Sequence, residues 1–325
     1  MSSSQAIIGI DLGATNIKSL LMDKEGKILV SDKRPSLGNE GKEKVISQII
    51  SSIKTLQKEG VKLGISQFLG IGIGSPGPLN VEEGIIYQSP NIPGWQNVPL
   101  VRILEEKIHL PVFLENDANA AALGEWWKGA GKGFSYILLL TLGTGIGGGA
   151  IINGKVYRGA RGCGMELGHM IIKEGGMICG CGARGCLEAY ASATAVVKRA
   201  KALIKQGHKS YLSRFIKDAN DLTCEDVFKA ASKKDELALL IVEETARYLG
   251  TGIGNLLNIF NPDVVILAGG MVKAKEVLFN PVEKYTRLNC LKSCWEMVKI
   301  VPAKLGENSG AVGACATVLE RKGII

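Results

Sequence analysis

The sequence contains no run of the roughly 20 apolar residues that a membrane-spanning helix needs. Its N-terminus, MSSSQAIIGI, has no basic region ahead of an apolar one, so we do not expect a signal peptide. Low-complexity tracts and linkers are also lacking. At 325 residues the chain is long enough for two domains with their own cores. We therefore expect a globular, cytoplasmic protein with no membrane partner.

A concentrated run of basic residues is also missing. The formal net charge is +8, but the lysines are spread along the chain. This distribution does not favour nucleic acid as a partner and suits an anionic ligand such as a nucleotide. Neither a GxxxxGK loop followed by Ser or Thr nor a strand–GxGxxG–helix unit occurs, which excludes the P-loop and Rossmann classes.

Three of the eight cysteines, Cys179, Cys181 and Cys186, lie close together after His169. Three thiolates and one imidazole are a common ligand set for structural zinc, and the neighbouring glycines let the backbone aim several sulfur atoms at one point. A site closed by four protein ligands leaves no position for chemistry, so we predict a zinc ion that shapes the wall of a pocket. The alternative is a loop of reduced thiols that binds no metal. Eight cysteines fit a reducing cytoplasm better than a disulfide framework.

Apolar periodicity and turn residues predict two halves rich in β-strands, with helices between and after them. The predicted strands are Ala6–Asp11, Asn16–Asp23, Ile28–Lys33, Phe68–Gly74, Val112–Leu114, Tyr136–Leu142, Gly148–Ile152, Lys155–Tyr157 and Val264–Leu267. The predicted helices are Glu40–Glu59, Val101–Ile108, Ala118–Trp127, Leu187–Gln206, Glu236–Asn258 and Ser309–Arg321.

The two halves resemble each other. Ile10–Asp23 and Leu140–Asn153 align without a gap, with Leu-Gly at the same place in both. A match this short can be a coincidence, but a true repeat predicts two similar domains that face each other across a cleft. We predict a small α/β domain of residues 1–120, completed by the C-terminal helix 308–325. A large α/β domain, residues 121–307, would carry the cysteine cluster.

Glycine-rich turns follow three predicted strands, at Gly13–Thr15, Gly143–Gly147 and Gly269-Gly270. Glycine lets backbone N–H groups point at phosphate oxygens, because no Cβ stands in the way. Each turn alone is equally typical of a tight hairpin or a helix cap. Three of them at strand ends in two similar halves favour a phosphate-binding function.

Four motifs carry a resemblance to a known family. They are DLGATNIK at Asp11–Lys18, LGTGIGGG at Leu142–Gly149, VVILAGG at Val264–Gly270, and ELGH followed by CxCGxxGCxE between Glu166 and Glu188. In this order they resemble the sugar kinases of the ROK family, within the actin-like ATPase superfamily. The resemblance implies an α/β fold of two actin-like, ribonuclease H-like domains with mixed β-sheets flanked by helices. One departure is Ala14, where the family pattern usually has glycine.

The resemblance also implies a sugar site in which Asp117 is the catalytic base that takes the proton of the attacking hydroxyl group. From the residues alone, Asp117 could equally cap the helix that begins at Ala118. The sugar-binding residues that the resemblance implies are Gly77, Asn116, Asp117, Glu166, His169 and Glu188.

ATP with Mg²⁺ is the implied cofactor, besides structural Zn²⁺. Asp11 would face the magnesium ion, and Lys18, which by itself is typical of a solvated lysine, would lie near the phosphates. The other implied nucleotide contacts are Gly13, Thr15, Asn16, Gly143, Thr144, Gly145, Gly269 and Gly270.

The expected reaction is ATP-dependent phosphorylation of a hexose 6-hydroxyl group. Glucose is the favoured substrate because NIPGW at Asn91–Trp95 resembles the glucose-phosphorylating members. N-acetylmannosamine is the alternative substrate, and fructose is less favoured. The family's repressors carry a helix-turn-helix domain before the first phosphate motif, and the position of Asp11 argues against one here. A non-catalytic sugar sensor is the remaining alternative, and the resemblance implies a homodimer or tetramer.

Overall fold

A computed structural model describes residues 4–88, 92–215 and 222–325 of the chain. Asn91, the first residue of the NIPGW motif, lies outside them. The chain divides into two compact units: unit 1 comprises residues 1–135, 149–165 and 303–325, and unit 2 comprises residues 136–148 and 166–302. Within the described ranges, no helix combines the length and the apolar character that crossing a membrane requires.

The strands are β1 Gln5–Leu12, β2 Asn16–Asp23, β3 Ile28–Pro35, β4 Gln67–Ser75, β5 Leu79–Asn80, β6 Ile85–Gln88, β7 Gln96–Val98, β8 Val112–Asn116, β9 Ile137–Leu142, β10 Ile146–Ile152, β11 Lys155–Val156, β12 Val264–Ala268 and β13 Lys299–Pro302. The α-helices are α1 Lys42–Lys62, α2 Leu100–Ile108, α3 Asp117–Lys128, α4 Glu188–Ala191, α5 Ala193–Lys205, α6 Cys224–Ser232, α7 Glu236–Phe260, α8 Glu276–Leu288, α9 Lys292–Trp295 and α10 Ser309–Arg321.

Two five-stranded sheets have the same plan. Their strand orders are β3–β2–β1–β4–β8 and β11–β10–β9–β12–β13, and β5, β6 and β7 form a small third sheet. In the first sheet β1, β2 and β3 are antiparallel, whereas β4 runs parallel to β1 and β8. In the second, β10 and β11 are antiparallel, and β12 is parallel to β9 and β13. The predicted α/β fold with mixed sheets is confirmed, and the aligned segments cover corresponding strands.

Helices cover both faces of the first sheet, so β1 is buried on both sides. Because side chains alternate along a strand, Ile8 and Ile10 pack in one core with Ile49 of α1. Ile7 points to the opposite face and packs with Val318 of α10. The run of apolar residues in β1 therefore reflects a central strand between two helical layers.

The C-terminal helix α10 lies directly on this sheet. A side chain at Gly9 or Gly72 would collide with the α10 backbone at Ala311 and Ala314 respectively. Every α10 residue from Ala311 to Leu319 is buried. Small residues on both elements thus permit the close approach, and α10 belongs to unit 1.

Two predicted elements differ from the structure. The segment Leu187–Gln206 is not one helix, because it breaks at Ser192, whose hydroxyl accepts a hydrogen bond from Ala195 N and so caps α5. The glycine turn predicted through Gly147 is shorter, since β10 already begins at Ile146. The elements that the sequence patterns did not predict are β5, β6, β7, α6, α8, α9 and β13.

Candidate functional site

The carboxyl ends of three parallel strands meet at one edge of the first sheet. Asp11 in β1 pairs with Gly74 in β4, and Ser75 in β4 pairs with Asn116 in β8. Gly77 follows Ser75 in a turn and has a φ of 96°, where a Cβ would also press on the backbone oxygen of Gln88. The turn therefore requires glycine for its own conformation.

The β8–α3 turn carries the residue that was predicted as the base. Asn116 Oδ1 accepts hydrogen bonds from Ala118 N at 2.9 Å and Asn119 N at 3.1 Å, so Asn116 is the N-cap of α3. Asp117 is the first residue of the helix, and its Oδ1 accepts from Ala118 N at 2.8 Å. The capping role considered for Asp117 thus belongs to its neighbour.

Asp11 is a partly buried carboxylate whose charge interacts with that of Asp117. Burial, and then the Asp117 charge, raise the pKa of Asp11 from 3.8 to about 6, although Lys18 opposes them. A Cβ at Gly310, in the first turn of α10, would lie 2.7 Å from the Asp11 Cγ. The positive end of that helix therefore faces the carboxylate. Two neighbouring carboxylates are a donor set that fits Mg²⁺.

The turn after β1 is closed by a hydrogen bond from Gly13 N to Asn16 O at 3.0 Å. Ser36 also holds this turn: its backbone N donates a hydrogen bond to Thr15 O, and its Oγ donates one to Ala14 O. Ala14 is not among the described residues with a positive φ, so its methyl group introduces no backbone strain. Lys18 Nζ lies 3.0 Å from Glu307 Oε2.

The corresponding turn of unit 2 follows β9. Gly143 N donates to Gly145 O at 3.0 Å, and Thr194 Oγ1 donates to Thr144 O at 2.7 Å. Gly269 has a φ of 91°, and a Cβ there would collide with the backbone of Leu142. The glycine turns after β9 and β12 are therefore in direct contact.

A cavity of about 600 Å³ lies at these two turns, entirely within unit 2. Gly143, Thr144 and Gly270 line it from the turns, and Phe228 and Lys229 line it from α6. Its volume falls in the range of small-molecule sites. Its wall is partly apolar and carries a few polar and cationic groups, which suits the base and ribose of a nucleotide whose phosphates lie at the turns.

The predicted metal ligands come together. The ligand atoms of His169, Cys179, Cys181 and Cys186 all lie within 4.8 Å of one another. The two sulfur atoms of Cys181 and Cys186 are 3.7 Å apart, and Cys179 Sγ lies 3.6 Å from His169 Nδ1. Thiolates bound at about 2.3 Å to one tetrahedral ion are about 3.8 Å apart, so the donor set fits zinc. The Nδ1 atom of His169 faces the sulfurs.

Burial raises the pKa of the Cys186 thiol to about 12, and hydrogen bonds with Cys181 and Cys179 add to this effect. A bound cation would lower that pKa, because thiolates are the species that bind metal.

Glu188 connects the metal cluster with the glycine turn. Its Oε2 accepts a hydrogen bond from Ile146 N at 2.8 Å, and its Oε1 lies 3.7 Å from Cys179 Sγ. Glu166 precedes the short 3-10 helix Leu167–His169, and its carbonyl oxygen accepts from His169 N at 3.0 Å. The Glu188 carboxylate thus lies beside the cluster, and the backbone of Glu166 bonds to that of His169.

The structure also reveals buried charges that the motifs did not indicate. Glu115 is fully buried beneath the β8–α3 turn, and Arg158 Nε lies 2.7 Å from its Oε2. The two residues are 43 positions apart, so no local pattern joins them.

The chain is similar to known proteins over nearly its whole length. The ROK family model matches residues 7–321. A glucokinase from Thermotoga maritima is 39% identical over 317 residues, which cover 98% of each chain. A xylose repressor from Caldicellulosiruptor bescii is 34% identical over 97% of this chain and 78% of its own length. Among solved structures, a ROK family glucokinase from Streptomyces griseus in complex with glucose and AMPPNP has a TM-score of 0.79 and 33% identity, covering 95% of this chain and 98% of that one.

Proposed function

Because this chain belongs to the ROK family, we propose that it is an ATP-dependent sugar kinase that phosphorylates the 6-hydroxyl group of glucose. The observation that carries the proposal is the β8–α3 turn. Asn116 caps α3 there, so the helix does not need the Asp117 carboxylate as its cap. The full-length similarity to the Thermotoga maritima glucokinase supports the choice of sugar.

Asp117 acts as the general base in this proposal. It takes the proton of the 6-hydroxyl group while that oxygen attacks the γ-phosphorus of ATP. The new O–P bond forms, the bond to the bridging oxygen breaks, and ADP leaves. A positioned base of this kind contributes typically ~10²–10⁴-fold to the rate. Asn116 uses its Oδ1 for the cap, so its Nδ2 is the donor that we assign to the sugar.

The other sugar contacts are assigned to carboxylates, a histidine and a turn. Glu166 and Glu188 accept from sugar hydroxyl groups, and His169 donates from the nitrogen that does not face the sulfur atoms. Gly77 contacts the sugar through the backbone of its turn. Zinc, held by His169 and the three cysteines, fixes this histidine in one tautomer when bound. Its role is structural, because all four positions are filled by protein ligands.

Nucleotide binding is divided between the glycine turns. We assign the adenosine to the cavity beside Gly269 and Gly270, and phosphate oxygens to the backbone at Gly143, Thr144 and Gly145. In unit 1, the phosphate contacts are Gly13, Thr15, Asn16 and Lys18. Asp11 holds Mg²⁺, directly or through water, and the bound ion offsets the charge of the phosphates.

The substrate is tested with ATP-coupled phosphorylation of glucose, mannose, fructose, N-acetylglucosamine and N-acetylmannosamine by the purified protein. We expect kcat/KM to be highest for glucose. Preference for N-acetylmannosamine would retain the kinase and replace its substrate. Turnover of none of these sugars would favour a sensor, in line with the similarity to the Caldicellulosiruptor bescii repressor.

The base is tested with Asp117→Asn. We expect kcat to fall at least ~10²-fold, because the amide cannot take the proton, while glucose binding measured by calorimetry is retained. Asp23→Asn is the matched control, since Asp23 only accepts from Lys27 N in an exposed turn and asparagine can do the same. Activity of Asp117→Asn equal to that of the control would refute the assignment.

A further inference from the structure

The β8–α3 turn rests on a partly buried set of charges, here called the Arg158 cluster: Glu115, Arg158 and Glu320. Arg158 Nε contacts Glu115 Oε2 at 2.7 Å, and its Nη1 and Nη2 contact the Glu320 carboxylate at 3.2 and 2.6 Å. The exposed side-chain fractions are 0% for Glu115, 18% for Arg158 and 21% for Glu320. One guanidinium therefore bridges β8 and α10 with a bidentate contact on one side.

Glu115 transmits this arrangement to the turn. Its Oε1 accepts from the backbone N of Asn116 at 3.1 Å and from Asn119 Nδ2 at 3.2 Å. The first bond holds the residue immediately before Asp117, and the second holds the first turn of α3. The orientation of the Glu115 carboxylate thus constrains both sides of Asp117.

The cluster depends on the charge of Arg158. Burial by itself lowers the pKa of this guanidinium, but the hydrogen bond with Glu320 and the charges of Glu115 and Glu320 outweigh burial and raise it above its ordinary value. Without Arg158, Glu115 would be a fully buried carboxylate with no counter-charge, which is costly. It would then reorient or take up a proton, and Asn116 would lose its fixed acceptor.

We propose that Arg158 is a positioning residue for phosphoryl transfer: through Glu115 it sets the orientation of the Asp117 carboxylate. This inference rests on the proposed function, in which Asp117 is the base. Arg158 donates hydrogen bonds to Glu115 and Glu320, and Glu115 in turn accepts from the backbone of the turn. Its effect is therefore on the geometry of the base and falls on kcat rather than on binding.

The test is steady-state kinetics of Arg158→Met together with calorimetric binding of glucose without ATP. We expect kcat to fall at least tenfold, with the KM for ATP and the Kd for glucose within threefold of wild type. A misplacement of about 1 Å can cost ~10²-fold in rate. Arg158→Lys, which keeps the charge but not the bidentate contact, is expected to recover part of the lost kcat.

Arg102→Met is the matched control. Arg102 Nε contacts Glu106 Oε1 at 2.8 Å, but the pair is exposed, with side-chain fractions of 80% and 61%. This variant is expected to keep the kcat of the wild type. If Arg158→Met also stays within twofold of wild type in kcat, or changes only the binding constants, the inference is wrong.

Two further results keep the outcomes separate. If Arg158→Met does not fold, Glu115→Gln is tested instead, because Arg158 keeps Glu320 as its partner in that variant. A kcat equal to that of the wild type in Glu115→Gln overturns the inference. If the wild type phosphorylates no sugar, the proposed function fails, and crystal structures of wild type and Arg158→Met decide the positioning role. A shift of the Asp117 carboxylate by about 1 Å or more supports it, and superposable β8–α3 turns contradict it.

Discussion

Asp11 lies in an environment that opposes its charge. Its pKa rises from 3.8 to about 6, chiefly because it is buried. Between about pH 4 and pH 6 the folded state binds a proton that the unfolded state has released. The contribution of Asp11 to the free energy of unfolding therefore falls as the pH rises through this window.

Asp11→Asn should accordingly make the protein more stable at pH 7.5 and inactive as a kinase. We expect the free energy of unfolding to rise by about 3 kcal/mol at that pH, since the pKa is raised from 3.8 to about 6 and each pKa unit corresponds to about 1.4 kcal/mol. Urea unfolding without Mg²⁺ or nucleotide, at pH 4 and pH 7.5, measures the effect. An equal difference between variant and wild type at both pH values would show that the charge of Asp11 is not its cause.

The sequence alone does not decide which of the neighbouring residues Asn116 and Asp117 caps α3. Both residue types are good N-caps, so composition alone leaves the assignment open. The backbone of Asn116 settles it, with a φ of −64° and a ψ of 143° that place its Oδ1 over two amides of α3. The backbone N of Asn116 donates to Glu115, and Glu115 contacts Arg158, which lies 43 positions further along the chain.

Among the elements, the turn between β9 and β10 depends on the loop that holds the cysteines. Glu188 contacts Ile146 N in the turn and lies beside Cys179 Sγ in the cluster. If the proposed zinc ion is bound, its loss would leave three thiols, two of them buried, without their common partner. The carboxylate of Glu188 would then lose its fixed position, and the turn would lose a hydrogen-bond acceptor.

Removal of the metal with a chelator should therefore increase amide hydrogen exchange in the β9–β10 turn. We expect faster exchange at Ile146 and in the peptides that contain it, whereas β4 (Gln67–Ser75) in unit 1 serves as the internal reference. Metal content is measured in the same samples. If exchange at Ile146 is unchanged in metal-free protein, the β9–β10 turn does not depend on the cysteine cluster.

Elements with a local signal could be predicted, and those without one could not. The pair Asn153-Gly154, between two predicted strands, is typical of a tight hairpin, and both residues adopt a positive φ, 51° and 72°. The break at Ser192 was missed because helical periodicity continues across it. Helix α8 contains Pro281, which in a sequence argues against a helix. The strands β5, β6 and β7 have only 2, 4 and 3 residues, which is too short for an apolar alternation to identify them.

For the whole molecule, the plan of the fold could be predicted because it is present twice. The alignment of Ile10–Asp23 with Leu140–Asn153 reflects two sheets with the same strand order. The residues that belong to each unit could not be predicted from this repeat. Residues 149–165 cluster with unit 1 through contacts such as that of Arg158 with Glu115, which a linear sequence does not display.

The contribution of the C-terminus can be tested with a chain that ends at Asn308. Without α10, the glycine-rich faces of β1 and β4 lose the helix that packs on them. We expect strong loss of amide protection in β1 and β4, because exposing this apolar face removes most of one core of unit 1. Exchange in β12 is the internal reference. Full protection of β1 in the shortened chain would contradict this account.

Unit 1 takes its last helix from the end of the chain, and this has a consequence for synthesis. A ribosome makes β1 long before α10, at rates of about 5–20 residues per second. Nearly the whole chain must therefore emerge before β1 and β4 acquire their second helical layer. Until then one apolar face of this sheet stays open, and it is this nascent half-covered sheet that chaperones are expected to protect.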